Sequence, residues 1–183
     1  MKAKKFTVVE SNLVYDGVII SLHVDKIRNT EGKILEREVV EHLDAVGIVA
    51  LDADNNIVLV SQYRHPLKGN LLEIPAGLLA DGENPADCAV RELKEETGYI
   101  AKNVEKLAAF YTSAGFTNER FYLFFSDNLE AGEPELEPDE DDIELVMIPL
   151  ERALEMVSSG EIEDAKTLTA ILMAAQKVGR IGL

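Results

Sequence analysis

The stretch Gly77–Tyr99, GLLADGENPADCAVRELKEETGY, sets Glu83, Arg91, Glu92, Glu95 and Glu96 between two glycines, Gly77 and Gly98. The spacing predicts a helix from about Asn84 to Thr97. On it Glu92, Glu95 and Glu96 stand at i, i+3 and i+4 and share a face. Ala86, Ala89, Val90 and Leu93 fall on a different face, suited to packing on a core. The ends agree with a helix. Asn84 is a good N-cap, Pro85 fits the first turn beside the acid Asp87, and Gly98 suits a left-handed C-cap. Arg91 and Glu95, four apart, can pair. Three crowded carboxylates repel unless a cation sits among them. Hard oxygen donors at this spacing suit Mg²⁺, with Mn²⁺ as a substitute. Such an ion is the usual apparatus for cleaving phosphate anhydrides. For spacing alone, a solvated acidic helix face is the competing reading.

Upstream and downstream, the chain alternates between strand and helix patterns. Residues from Phe6 to His42 alternate apolar and polar, with a turn signal at Asn29–Gly32, and read as three antiparallel strands. So small a sheet must lie on another surface. Ala45–Asp52 and Asn55–Arg64 are two apolar strands joined by a tight turn, and Leu71–Leu79 leads into the helix. Val104–Thr112, Arg120–Asn128 and Ile143–Leu150 read as further strands. Glu151–Ser158 is a short helix. Ala165–Val178 is a longer one whose apolar stripe is Leu168, Ile171, Leu172 and Ala175. The pattern predicts an α/β architecture with helices outside a mixed sheet. The organisation is a small N-terminal antiparallel sheet over residues 1–43 and a larger domain over 44–183.

Composition narrows the function classes. The 183 residues carry a net charge of −16, which argues against a nucleic-acid-binding surface. The same charge opposes a polyphosphate-like substrate unless metal ions and local arginines offset it. No apolar run approaches the roughly 20 residues that span a bilayer. The start, MKAKKFTVVESNL, lacks the continuous apolar core of a signal peptide. The single cysteine, Cys88, allows no internal disulfide and reads as a small, semi-buried helix residue. Cytoplasm is the expected compartment.

The Gly77–Tyr99 segment resembles the Nudix box, G-x5-E-x7-R-E-U-x-E-E-x-G-U, where U is apolar. Gly77, Glu83, Arg91, Glu92, Leu93, Glu95, Glu96 and Gly98 match, and only Tyr99 departs, standing where an aliphatic residue is usual. The resemblance implies a Nudix fold, a mixed sheet sandwiched between helices with the box as a loop–helix–loop. It also implies metal-dependent hydrolysis. Glu92, Glu95 and Glu96, with the backbone carbonyl of Ala76, form the metal shell. Glu83, Arg91, Gly77 and Gly98 act in support, Arg91 by orienting the carboxylates.

Outside the box, SQYRHPLKGNLLEIPAGLL resembles ADP-ribose pyrophosphatases and related nucleoside-diphosphate-sugar hydrolases through Gln62-Tyr63-Arg64, Glu73 and Pro75-Ala76-Gly77. In that subfamily the N-terminal sheet swaps across a two-fold dimer, so a homodimer is expected. Arg64 can stack on a base or grip a phosphate, or form a salt bridge with the abundant acids. Tyr63 is expected in core packing. Glu73 contacts base or ribose, or satisfies nearby backbone. The loop Ser113–Glu119 sits where the subfamily carries Ser-Pro-Gly before a Glu. Gly115 and Glu119 are therefore candidate substrate contacts, and Ala114 replaces the proline. Glu119 reads equally well as a solvated loop acid. The acidic run Gly132–Glu144 is the expected source of a catalytic base, either Glu140 or Asp141. The implied reaction is hydrolysis of ADP-ribose to AMP and ribose 5-phosphate. The alternatives are another sugar nucleotide such as GDP-mannose, or a non-catalytic nucleotide sensor.

Overall fold

The computed structural model describes residues 5–136 and 142–182. By contacts the chain divides into two compact units. The first comprises residues 1–44 together with 110–120, and the second comprises 45–109 with 121–183.

In the first unit, β1 (Phe6–Asp16), β2 (Ile20–Asn29) and β3 (Ile34–His42) form an antiparallel sheet in that order. The Asn29–Gly32 turn is closed by the Asn29 side chain, which accepts from the backbone N–H groups of Glu31 and Lys33. Every residue of β1 is exposed, including Phe6, Val8, Val9, Leu13, Val14 and Tyr15. The 110–120 segment belongs here because β3 holds it. The Val40 N–H donates to the Phe116 carbonyl, the Asn118 N–H donates back to the Val40 carbonyl, and the Asn118 side chain accepts from the His42 N–H.

The second unit is built on a sheet ordered β12-β5-β4-β10-β9. Its strands are β4 (Ala45–Leu51), β5 (Asn56–Arg64), β9 (Glu105–Tyr111), β10 (Arg120–Ser126) and β12 (Glu144–Pro149). Short strands β6 (Gly69–Glu73) and β7 (Ala76–Leu78) pair with β5 and β4. A separate two-stranded ladder joins β8 (Ile100–Ala101) to β11 (Leu129–Glu130). All seven residues of β4 are buried, as a continuous apolar strand covered on both faces should be. It runs parallel to β10 and antiparallel to β5 and β7, so the sheet is mixed. Helix α1 (Pro85–Thr97) packs through Cys88, Ala89 and Leu93 on Val46, Ile48, Ala50 and Phe124. The other helices are α2 (Leu150–Ser159) and α3 (Ala165–Lys177). This is the expected α/β arrangement.

Two expectations are corrected. Tyr63 is exposed rather than packed in the core, because it lies in the part of β5 beyond the buried run Ile57–Val60. Its ring meets His65 edge-on, and its N–H donates to the Asp142 carboxylate at 2.7 Å. In α3 the buried face is Thr167, Ala170, Ile171, Ala174 and Ala175, while Leu172 is exposed. The alanines let the helix approach closely, so small residues rather than leucines define its inner stripe.

Gly98 ends α1 at φ +77°, with its N–H donating to the Lys94 carbonyl at 2.8 Å. A Cβ there would lie 2.6 Å from the Gly132 carbonyl oxygen. Replacing Gly98 with Ala therefore combines a left-handed backbone penalty with a backbone clash, and should cost on the order of 2 kcal/mol. A urea titration of Gly98→Ala checks this; an unmoved midpoint would show that residues 132–133 yield freely.

Candidate functional site

Asn84 caps α1 as read from sequence, its side chain accepting from the Ala86 N–H at 2.8 Å. The helix then buries one stripe that includes carboxylates: Glu92 is 6% and Glu96 5% exposed. These acids are therefore not a solvated face. Carboxylates buried at that cost need compensating charge: Arg91 Nη1 stands 2.7 Å from Glu92, and Glu96 interacts with the Arg64 charge.

Arg91 gathers three of the predicted acids. Its Nε and Nη2 donate to the two oxygens of Glu83 at 2.9 and 3.1 Å, a bidentate pair. Its Nη1 lies 2.7 Å from Glu92 and 2.8 Å from Glu95. Nη2 also donates to the Leu78 carbonyl at 3.4 Å and to Cys88 Sγ at 3.3 Å. Bonding to Arg91 holds the Glu83 carboxyl down, from 4.5 to about 2. Burial, reinforced by the Glu92 charge, pushes the Cys88 thiol up to about 12. The cysteine is thus an inert packing residue.

Gly77 has a steric reason to be glycine. A Cβ built on it would lie 2.2 Å from the Glu92 carboxylate carbon. The carboxylate is laid directly on the peptide chain after Ala76. Ala76 pairs with Gly47 across the β7–β4 ladder, while the Ile48 N–H donates to the neighbouring Pro75 carbonyl. Antiparallel alternation therefore turns the Ala76 carbonyl away from β4. Glu92, Glu95, Glu96 and this carbonyl are all hard oxygen donors, the type that suits a divalent cation. Among the described residues, no three acidic, histidine or cysteine side chains are gathered as metal ligands, and Glu92 and Glu95 lie against Arg91.

A second pair lies on β5 and β6. Arg64 donates through Nε and Nη2 to the two oxygens of Glu73 at 2.6 and 2.9 Å. Glu73 is 1% exposed, so the motif's Arg and Glu form one bidentate unit, with the Arg64 side chain partly open to solvent. Gly115 and Glu119 belong to the first unit. There the Glu119 carboxylate accepts from the Thr112 hydroxyl and lies 3.8 Å from His42 Nδ1. Glu140 and Asp141 lie outside the described residues. Sequence reasoning missed Asp142, which bonds Tyr63, and the start of α3, where Lys166 reaches Glu73. Asp164 was readable as an N-cap from its type and position, but nothing local shows what the helix end touches.

The Gly77→Ala variant should displace Glu92 and abolish whatever chemistry the site performs, while α1 and the far-ultraviolet circular dichroism persist. The Glu83–Arg91 pair is present in full above about pH 4.5 and is lost as pH falls toward 2, because the folded carboxyl is depressed. Wild type should thus exceed Glu83→Gln in stability at neutral pH, and the difference should shrink through that window. A pH-independent difference in urea midpoints would contradict it.

Comparison with known proteins fits this geometry. A NUDIX domain model matches residues 41–170. The chain is 41% identical over 172 residues to an ADP-ribose pyrophosphatase of Bacillus subtilis (strain 168), covering 93% of each chain. It is 38% identical over 164 residues to a methanol dehydrogenase activator of Bacillus methanolicus, covering 89% of each. A crystal structure of an ADP compounds hydrolase superposes with a TM-score of 0.85 at 20% identity, covering 99% of this chain and all of that one. That likeness concerns the fold alone. With its box residues present and a family model matching most of its length, the chain belongs to the NUDIX family.

Proposed function

We propose that this chain hydrolyses the diphosphate linkage of ADP-ribose, giving AMP and ribose 5-phosphate. The observation that carries the proposal is the 41% identity along nearly the full length to the B. subtilis ADP-ribose pyrophosphatase, in a chain whose box carboxylates are all present. In the reaction, water attacks one phosphorus, the bond from that phosphorus to the bridging oxygen breaks, and the water proton passes to a carboxylate. Glu140 or Asp141 is the proposed acceptor, from its place in the sequence before β12.

Glu92, Glu95 and Glu96, with the Ala76 carbonyl, would hold Mg²⁺, or Mn²⁺ in its place. When bound, it supplies positive charge against the diphosphate oxygens and makes water more acidic. Arg91 orients Glu92 and Glu95, and Glu83 braces Arg91 from the opposite side. Arg64 offers the substrate a flat guanidinium whose orientation Glu73 fixes. Gly115 and Glu119 are proposed as further substrate contacts. In a chain of net charge −16, such local cations are what let an anionic substrate approach. A cytoplasmic location belongs to the same proposal.

The exposed apolar residues of β1 support a homodimer formed through the N-terminal sheet. Gel filtration should give about twice the 20.2 kDa chain mass; elution as a monomer would remove the dimer.

The substrate is tested with a panel of ADP-ribose, GDP-mannose, ADP-glucose, diadenosine polyphosphates and NADH, run with Mg²⁺ and with EDTA. AMP release from ADP-ribose should dominate and vanish in EDTA. The Glu96→Gln variant should lose roughly 1,000-fold or more in kcat, with its unfolding transition retained. Preference for another sugar would move the substrate and keep the chemistry. The name of the B. methanolicus relative favours one second reading, a nucleotide-binding regulator of a partner enzyme. Tight binding without turnover across the panel would select it.

A further inference from the structure

The first turn of α3 takes hold of residues 73–74 in two ways. The Thr167 hydroxyl accepts from the Ile74 N–H at 2.9 Å and donates to Asp164 at 2.7 Å. Lys166 Nζ lies 3.5 Å from Glu73 Oε2, the oxygen that Arg64 Nη2 also uses, and is itself paired with Asp164. Four charges thus alternate in a row: Arg64, Glu73, Lys166 and Asp164. Glu73 and Asp164 are buried, at 1% and 9% exposure, while the Arg64 side chain is the most open of the four. Burial opposes ionisation of Asp164, yet the Lys166 charge and the bonds from Lys166 and Thr167 hold its carboxyl below the ordinary range.

This order has a geometric consequence. Arg64 commits its Nε–Nη2 edge to Glu73, so a ligand meets the Nη1 end and the two flat faces. Where those face depends on the Glu73 carboxylate, and Lys166 Nζ stands 3.5 Å from the same oxygen of that carboxylate that takes Arg64 Nη2. We propose that Lys166 is a positioning residue for Arg64, acting through Glu73, so that the start of α3 sets how the substrate is gripped without touching it. This rests on the reading of Arg64 as a substrate contact.

The test is a double-mutant cycle with ADP-ribose as the probe, on the full chain with Mg²⁺. Lys166→Met should raise KM about fivefold to tenfold and leave kcat within about twofold, and Lys166→Arg should restore most of the loss. Arg64→Ala should raise KM at least as far. The double variant should be no worse than Arg64→Ala alone, because a guide for an absent side chain has nothing left to do. Calorimetric binding of ADP-ribose in EDTA should give the same pattern in Kd. Multiplying effects in the cycle would overturn the proposal, as would an unchanged KM in Lys166→Met. If Lys166→Met fails to unfold cooperatively, Lys166→Gln takes its place in the cycle. If wild type ignores ADP-ribose but turns over another member of the panel, the substrate reading fails alone and the cycle is decided on that compound. Silence on every compound removes both.

Discussion

One guanidinium holds the site together. Arg91 bonds Glu83 on one side and Glu92 and Glu95 on the other, and without it these acids would repel one another with no guanidinium between them. The geometry explains why the motif spaces an acid eight residues before its arginine. Glu83 sits before the helix begins, so it can approach Arg91 from the loop while the other two come from the helix itself. Removing one member of such a cluster leaves the others with uncompensated charge, so the group behaves as a unit rather than as separable residues.

The backbone is equally constrained. Gly77 and Gly98 bracket the helix, yet for unrelated reasons. Gly98 needs a left-handed conformation and tolerates no Cβ beside Gly132. Gly77 makes room for a carboxylate. A motif written as two glycines thus hides two distinct physical demands, one on torsion and one on volume.

Much of this was legible in the sequence because it is local. Asn84, Pro85 and Gly98 mark the helix by capping chemistry, and the four-residue spacing of Arg91 and Glu95 gives their ion pair directly. The strands of the larger sheet followed from apolar runs of strand length, and its mixed character from the resemblance to the Nudix box. What could not be read was non-local. Nothing near Tyr63 tells that β5 outruns its buried segment. Nothing in Leu168 or Leu172 tells that alanines would face the sheet. The link from Lys166 to Glu73 spans most of the second unit in sequence, and only the packed helix end reveals it. Substrate identity is the least legible of all, since base recognition leaves no signature comparable with the box.

The first unit is discontinuous in sequence, and that has a consequence for how this protein can be cut or recombined. Residues 110–120 arrive in the middle of the larger unit but are hydrogen-bonded to Val40 and His42. No single break in the chain separates the two bodies. A fragment beginning at residue 45 would carry Gly115 and Glu119 on a loop stripped of its scaffold. Exchange of the N-terminal sheet between relatives would likewise have to carry this inserted segment with it. The heritable module is therefore the sheet plus its distant loop, an arrangement that a linear map of domains does not display.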